Sequence, residues 1–418
     1  MSKKSSQGVV KYSRVTFIGY LKFFNHLSKN TVKGYIHSIR RYTKCHGMNM
    51  MELVEEALDE QTNQVPNHLL KVIDRIEDFQ DSLINEGLKY NTIQLNVGKI
   101  LTIYHKNRVN VPYIEPLNSK SVKRNPIIEF KDILTKEELR QVIPLLRLPI
   151  RARVMAMVQG GLSNEECEHL TTRAFIDELK PYHQKEDDVE ALEWLRDETH
   201  PVIWVTKLIR VKTGKPYYAL IGAEAVNTIA EAKLYELGLP KNKGVIPQKL
   251  LNCNKLSVNR SLAKLNKSFG LGMAGGMRRL RPHSLRKFHA TYISGSALSY
   301  DEHSIITNAE IDEMQGRGKT GVQDTYIKTN PLRQKTLYAK VMNNVSLWHE
   351  YDYQIIDGDV QVYLIDPSIE NQKLKKQVES LSKKLQKKKQ ASEKVDALRN
   401  ELGEDTFREL IGEILNAS

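Results

Sequence analysis

The feature that most limits how this chain can fold is a break in its hydrophobic pattern between Val109 and Phe130. Apolar residues recur at helical spacing before the break and again after it. Within the break, Pro112, Pro116 and Pro126 stand among Asn, Ser and Lys. Because polar segments rich in proline do not build a core, this pattern is typical of a linker. The sequence therefore predicts two units, in a chain whose 418 residues suffice for two or three separate cores.

The segment before the break predicts an all-helical unit over residues 14–112, preceded by a polar start at 1–13. One helix is expected to begin at Asn30, a residue type favoured at N-caps, and another at Asn91. Both helices carry basic residues on their polar sides, which suits contact with a polyanion but is also common on solvated faces. The candidate contacts are Lys33, Arg40, Arg41, Lys99 and Lys106, together with Lys123 and Arg124 in the linker, taken as residues 113–130.

The segment over residues 131–350 predicts a second unit of mixed structure. Thr135 and Glu138 form a capping box that begins a helix. Val202–Val211 and Tyr217–Ile221 are β-rich and flank a turn that contains Lys and Gly, which predicts a hairpin with a basic tip. The expected fold class is therefore mainly α with a small antiparallel β-hairpin or sheet (α+β).

Residues 351–418 are interpreted as a C-terminal tail. A short β-like stretch, Val360–Ile365, comes first, and then Leu374, Val378, Leu381 and Leu385 recur at coiled-coil spacing. Eight lysines lie between positions 373 and 389. We favour self-association or a DNA-contacting arm for this tail over a plain solvated helix.

The charge balance favours a polyanionic partner. Lys and Arg number 63 against 50 Asp and Glu, a net charge of +13, which favours nucleic acid first and an anionic membrane surface second. The sequence has no apolar run of about 18 residues and no apolar signal core. We therefore expect no membrane partner and a soluble, cytoplasmic protein.

The chain offers little for a metal or nucleotide cofactor. Its three cysteines are far apart and lack the spacing of zinc sites. The acidic residues between Ile176 and Pro201 favour a solvated face that points away from any nucleic acid. Gly270–Gly276 does not match a phosphate-cradling loop. We expect no metal, no nucleotide and no other cofactor.

The stretch from Arg281 to Thr291 carries the strongest chemical signal. His283 and Arg286 are three residues apart, so a helix places both on one face, where they can reach the same anion. Such a pair is by itself more often an ordinary pair of neighbours. Further along the chain, Arg317 precedes Tyr326 by nine residues.

These residues resemble the motifs of the tyrosine recombinases, which include phage integrases, Xer-type resolvases, tyrosine transposases and archaeal-type integrases. His283-Ser284-Leu285-Arg286 matches their H-x-L-R motif, and Gly316-Arg317 matches their G-H/W motif with Arg317 in place of His or Trp. The resemblance covers roughly residues 14 to 340. It implies a helical core-binding domain followed by a catalytic domain.

The resemblance also implies roles for single residues. Tyr326 would be the nucleophile, Arg286 and Arg317 would hold the phosphate, and His283 would transfer a proton. Lys212, at the hairpin tip, would protonate the leaving oxygen, with Lys215 as the second choice. The remaining candidates for DNA contact are Lys215, Arg278, Arg279 and Arg281.

One position departs from the family pattern. Gly161-Leu162-Ser163, followed by Glu166, resembles the family's T-G-L-R-x-x-E, but Ser163 stands where the first catalytic arginine is expected. Serine cannot supply that charge. The open explanations are degeneration, an engineered substitution, or compensation by another arginine; the candidates for compensation are Arg151, Arg153 and Arg173. We favour a substituted or altered site over compensation.

The sequence thus predicts a site-specific DNA recombinase that integrates, excises or transposes a mobile element through a 3′-phosphotyrosine intermediate. The resemblance implies double-stranded DNA with inverted repeats as the partner and action as a homodimer or homotetramer. It also implies a cytoplasmic, nucleoid-associated protein of a prokaryote or virus. Ser163 keeps open a catalytically impaired DNA-binding protein on the same fold. A third hypothesis is a topoisomerase that relaxes DNA by the same chemistry. The C-terminal tail disfavours it, because that tail suggests assembly into oligomers.

Overall fold

The computed structural model describes residues 24, 26–115, 117, 122, 124, 126–295, 306–317 and 330–365. The chain divides into two compact units at Ile128 and Glu129. Over the described ranges it is mainly helical with small two-stranded antiparallel sheets, which confirms the predicted fold class. A search of the same ranges finds no helix with the length and apolar character needed to cross a bilayer.

The first unit is a bundle of helices around an aromatic centre. Its helices are α1 Lys29–His46, α2 Met50–Thr62, α3 Lys71–Asn85 and α4 Tyr90–Lys106. Tyr42 packs edge-on against Phe79 and Tyr104, and the Tyr42 and Tyr104 hydroxyls lie 2.9 Å apart. A buried hydrogen bond of 2.8 Å from Ser38 to Asn96 also joins α1 to α4. Buried polar pairs of this kind fix how the two helices pack, because an unpaired partner would be costly.

The start of α1 differs from the expectation. Ser28, rather than Asn30, is the N-cap, because its hydroxyl accepts the Thr31 N–H at 3.2 Å. The helix therefore begins one residue before Asn30. Both Ser and Asn are good caps, and the hydrogen-bonding partner decides between them.

Over its described residues, the second unit combines helices with three hairpins. Its helices are α5 Lys136–Val142, α6 Leu148–Gly160, α7 Thr172–His183, α8 Asp188–Arg196, α9 Ala223–Leu237, α10 Lys255–Ser268, α11 Pro282–Ile293, α12 Asn308–Met314 and α13 Pro331–Val345. Its strands pair in sequence order and are β1 Trp204–Ile209, β2 Pro216–Ile221, β3 Met273–Ala274, β4 Met277–Arg278, β5 Tyr351–Ile356 and β6 Asp359–Leu364. The predicted β1–β2 hairpin and the Thr135–Glu138 capping box are both present.

Helix α6 lies at the centre of this unit. Every residue from Ala152 to Gly160 is buried, which explains why apolar residues lie on all sides of the helix rather than on one face. It packs against α9, α11 and β2. Its end is set by Gly161, whose φ of +60° lies in the left-handed region that glycine adopts without strain. The chain then turns directly into the segment that carries Ser163 and Glu166.

The hairpin β5–β6 packs within the second unit rather than in a separate tail. Tyr351, Val360 and Val362 are buried in its core. The Lys335 ammonium and the Tyr182 hydroxyl each donate to the Asp359 carboxylate at 2.6 Å. Together these contacts tie the hairpin to α13 and α7. The predicted coiled coil lies outside the described residues.

The acidic segment between Ile176 and Pro201 forms parts of α7 and α8. Several of its charges are paired with basic neighbours at the surface, as in Arg173–Asp177 at 2.5 Å and Lys180–Glu186 at 2.7 Å. Over the described ranges no three His, Cys, Asp or Glu side chains are grouped so that they could hold a metal ion.

Candidate functional site

The His283–Arg286 pair sits in the first turns of α11. Arg281 is extended at the N-cap and Pro282 occupies the first helical position, where its missing N–H costs nothing. The motif therefore opens the helix, and its two side chains project from one side of it. Arg286 is buried, with 3% of its surface exposed, whereas His283 is exposed.

Arg286 is held by a carboxylate that Ser163 helps to position. The Ser163 N–H donates to Glu166 Oε2 at 2.8 Å, and the Glu166 N–H donates to Ser163 Oγ at 3.2 Å. This reciprocal cap fixes Glu166, which is 2% exposed. Arg286 Nη1 then donates to Glu166 Oε2 at 3.1 Å. Ser163 thus orients the carboxylate but brings no charge.

A second guanidinium, that of Arg210, donates a hydrogen bond to the other oxygen of the same carboxylate. Arg210 Nη1 donates to Glu166 Oε1 at 3.1 Å. Both arginines also donate to the Gln315 carbonyl oxygen, Arg210 at 2.6 Å. The Arg210 side chain is 16% exposed and that of Arg286 is 4% exposed. Two arginines therefore flank one carboxylate, and Arg210 is the more accessible of the two.

The turn at Gly316 brings the Gln315 carbonyl into place. Gly316 has a φ of +61°, and a Cβ there would lie 2.6 Å from the ring of Tyr217. Only glycine fits so close to that ring in this backbone conformation. The family-like Gly316-Arg317 motif therefore has a local reason for its glycine: it lets the turn approach the β1–β2 hairpin.

A buried histidine connects this turn to the end of α6. The Gln315 side-chain amide lies 2.9 Å from His289 Nδ1. A Cβ at Gly161 would lie 2.6 Å from the same nitrogen. Burial, reinforced by the charge of Arg286, lowers the pKa of His289 to about 3, so this ring is neutral near pH 7. His289 therefore has a structural role in packing and does not share the proton transfer predicted for His283.

His283 lies in a strongly positive environment. Partial desolvation and then the charges of Lys287, Arg281, Arg286 and Arg317 lower its pKa below the ordinary value. The imidazole is therefore neutral near pH 7 and can accept a proton. Arg317 is exposed and pairs with Asp312 at 3.2 Å, and its charge also lowers the pKa of Arg286.

The predicted lysines lie at the tip of the hairpin that carries Arg210. Lys212 and Lys215 are both exposed, and the Arg210 N–H donates to the Lys215 carbonyl at 2.8 Å, which closes the turn. Tyr326 lies outside the described residues. The structure thus brings together Arg286, His283 and Arg317, with the hairpin beside them.

None of the three arginines named as compensating for Ser163 is part of this group. Arg151 donates to the Pro144 carbonyl at 2.7 Å, and Arg173 pairs with Asp177 at the surface. Arg153 is fully buried and pairs with Glu168 at 2.6 Å. Sequence reasoning missed Arg210, although an arginine that closes a predicted strand just before the Lys212 turn was a usable signal.

The other candidates for DNA contact differ in exposure. In the first unit, Arg41 pairs with Glu86, and Lys99 crosses over Gly34, where burial lowers its pKa. Candidates that are exposed to solvent are Lys33, Arg40, Lys106, Arg124 and Arg278. Lys123 lies outside the described residues.

Two arginines near α11 make hydrogen bonds within the second unit. The Arg279 guanidinium binds Glu138 at 2.6 Å and the Ile133 carbonyl at 2.8 Å. Arg281 donates to the Arg278 carbonyl at 2.7 Å. Arg279 therefore ties the start of α5 to the segment before α11, a contact that the sequence-based assignment to DNA did not anticipate.

The chain matches no protein-family model and no curated protein. Among solved structures, it is similar to XerA recombinase, with 15% identity, a TM-score of 0.30 and coverage of 76% of this chain and 94% of that one. It is also similar to a lambda integrase (75–356) dimer bound to a COC′ core site, with 12% identity, a TM-score of 0.42 and coverage of 76% and 97%. A third is the integrase from mycobacterium phage Brujita, with 13% identity, a TM-score of 0.30 and coverage of 83% and 96%.

Proposed function

We propose that this protein is a tyrosine recombinase, which cuts and rejoins DNA at specific sites through a 3′-phosphotyrosine intermediate and so integrates, excises or transposes a mobile element. One observation carries the proposal. Arg286 of the H-S-L-R motif and Arg210 share the Glu166 carboxylate beside the Gly316 turn, and that turn precedes Tyr326 by a short stretch of chain.

The charges of this group suit a phosphodiester. Two guanidiniums and one carboxylate leave an excess positive charge. Arginine donates in a planar fork that matches phosphate oxygens. Cations fixed in advance around a phosphate stabilise the charge that develops during attack at phosphorus.

In this proposal the reaction needs a nucleophile, a base and an acid. The Tyr326 hydroxyl attacks phosphorus, a phosphotyrosyl bond forms, and the bond to the 5′ oxygen of the cut strand breaks. Neutral His283 accepts the phenolic proton, and Lys212 or Lys215 donates one to the leaving oxygen. The reverse reaction with another 5′ hydroxyl rejoins DNA without an external energy source.

We further propose double-stranded DNA with inverted repeats as the substrate and a homodimer or homotetramer as the acting form. The net charge of +13 and the exposed basic residues on α1 and α4, such as Lys33, Arg40 and Lys106, support DNA as the partner. These contacts are to phosphates, so binding should weaken steeply as salt rises.

The second candidate is a DNA-binding protein that does not cleave. Ser163 favours it, because the first arginine of the family pattern is missing there. The two candidates share DNA binding and differ only in whether a covalent bond to DNA forms.

A nicked duplex tests the proposal. DNA bound by the protein is first found by footprinting the sequence that flanks its own gene, and a nick is placed next to the cut site so that the cleaved strand diffuses away. We expect the protein to form an adduct that survives denaturation. Tyr326→Phe should abolish the adduct and keep DNA binding, whereas Tyr363→Phe, at an exposed hairpin tyrosine, should leave both unchanged. Specific binding by every variant with no adduct from the unmodified protein would favour the non-cleaving candidate.

A further inference from the structure

We infer that Arg210 is a catalytic residue which, with Arg286, forms a two-arginine clamp on the scissile phosphate and supplies the positive charge that Ser163 cannot. The inference rests on the proposed function. It also makes a separate claim, that this pair binds an inorganic anion, which can be tested without DNA.

The backbone of Arg210 is fixed at the neck of the β1–β2 hairpin. Its N–H donates to the Lys215 carbonyl at 2.8 Å, and its carbonyl accepts the Gly214 N–H at 2.8 Å. Along β1, Leu208 is buried and Ile209 is exposed. Because side chains alternate along an extended strand, Arg210 follows Leu208 towards the interior. There it meets Glu166, 44 residues earlier in the chain.

The surroundings of the pair favour an added anion over a closed ion pair. Burial lowers the pKa of Arg286; among the charged side chains around it, the Glu166 carboxylate raises that pKa, whereas Arg210 and Arg317 lower it. Positive charge therefore exceeds negative charge where both arginines are largely withdrawn from water, an arrangement that an anion would stabilise. By contrast, Arg153 is fully buried and lies against Glu168 and two backbone carbonyls, which leaves it no route to a ligand.

The position of Arg210 also explains how the site can have a serine, Ser163, where the family pattern has an arginine. Ser163 uses its hydroxyl and N–H to cap Glu166, so it preserves the carboxylate that orients Arg286. Arg210, at the neck of the hairpin, supplies the missing guanidinium and donates to the other oxygen of that carboxylate, Glu166 Oε1. The same hairpin carries Lys212 two residues later, so one element would bring both a phosphate ligand and the candidate acid to the reaction.

Four variants test the inference: Arg210→Ala, Arg210→Lys, Arg286→Ala and the control Lys207→Ala, at an exposed position of the same strand. The first readout is the rate of covalent adduct formation on nicked DNA. We expect Arg210→Ala to slow it by about 100-fold or more, as for the loss of one transition-state donor, and Arg210→Lys to slow it less. Lys207→Ala should match the unmodified protein.

The second readout is the rise in melting temperature caused by inorganic phosphate. The unmodified protein and Lys207→Ala should gain stability, and Arg210→Ala and Arg286→Ala should not. Adding Ser163→Arg to Arg210→Ala should restore part of the adduct rate, which would exclude simple unfolding as the cause of the loss.

The outcomes separate the two claims. If Arg210→Ala forms adduct at the normal rate while Arg286→Ala and Tyr326→Phe do not, the inference is overturned and the recombinase function stands. The inference is likewise overturned, with the function intact, if the single variant Ser163→Arg forms adduct and protein that keeps Ser163 does not. If no protein forms adduct but phosphate protection requires Arg210, the clamp stands and the recombinase function fails. Equal phosphate protection of Arg210→Ala and the unmodified protein overturns the clamp.

Discussion

Two buried carboxylates in the second unit have opposite surroundings. Glu224 is 4% exposed and accepts hydrogen bonds from neutral groups: the Leu347, Trp348 and His349 N–H groups at 2.6 to 2.8 Å and the Gln159 amide at 2.9 Å. Glu166 is 2% exposed and accepts from two arginines and from one backbone group, the Ser163 N–H. A glutamate side chain thus fixes a backbone turn at Glu224, whereas at Glu166 it positions two guanidinium groups.

The contrast shows how a structural carboxylate differs from one that serves a site. Backbone amides cannot leave Glu224 without unfolding the chain after α13, so its hydrogen bonds contribute to stability alone. The arginines around Glu166 have further donor groups and one of them is partly exposed, so they can hold a second anion.

Glu224→Ala should give the largest loss of stability. The change leaves several buried donors without an acceptor, and we expect the free energy of unfolding to fall by about 3–5 kcal/mol. Denaturant unfolding measures it. Adding inorganic phosphate should not restore stability, because the groups that Glu224 binds carry no positive charge to hold an anion. Restoration by phosphate would contradict the difference between the two carboxylates.

Glu166→Ala should lose about 3 kcal/mol, since it leaves two arginines without their shared partner. Here inorganic phosphate should recover a substantial part of the loss, because an anion can take the place of the carboxylate between Arg210 and Arg286. The measurement is the denaturant midpoint with and without phosphate. Chloride at equal ionic strength is the control, and equal recovery in both salts would count against a specific anion site.

Gly316→Ala should cost about 2 kcal/mol and also slow adduct formation. The added Cβ meets the Tyr217 ring and strains a backbone with positive φ, so the Gln315 carbonyl that binds both arginines would move. Gly47→Ala is the matched control, with a φ of +65° and no atom within 4 Å. It should cost about 1 kcal/mol and leave the adduct rate unchanged. A normal adduct rate for Gly316→Ala would show that this turn does not position the site.

The smallest effect concerns pH. Partial burial and then nearby positive charges disfavour the imidazolium and lower the pKa of His283. The adduct rate should therefore rise with pH through that lowered pKa and level off by neutral pH. Lys287→Met removes one of these charges, so it should raise the pKa and move the rise to higher pH. Lys264→Met, at an exposed position on α10, serves as the control. A rise that stays at the same pH in Lys287→Met would exclude His283 as the titrating group.

Local patterns in the sequence were enough to predict the elements around the site. The Thr135–Glu138 capping box and the β1–β2 hairpin depend on residues that are close in the chain, and both are present. Contacts between distant segments were out of reach. Arg210 meets Glu166 across 44 residues, and Arg279 meets Glu138 across 141, so neither pairing leaves a periodic signal. The docking of β5–β6 was missed for the same reason, because it depends on Lys335 and Asp359 meeting in the folded unit.

The most direct test of the proposed chemistry is the identity of the residue that carries the DNA. The trapped adduct is digested with protease and nuclease, and the modified peptide is sequenced by mass spectrometry. We predict a nucleotide joined through its 3′ phosphate to Tyr326, in an amount that falls sharply in Arg210→Ala protein. A nucleotide on any other residue, or a specific DNA complex that never yields a modified peptide, would contradict this chemistry.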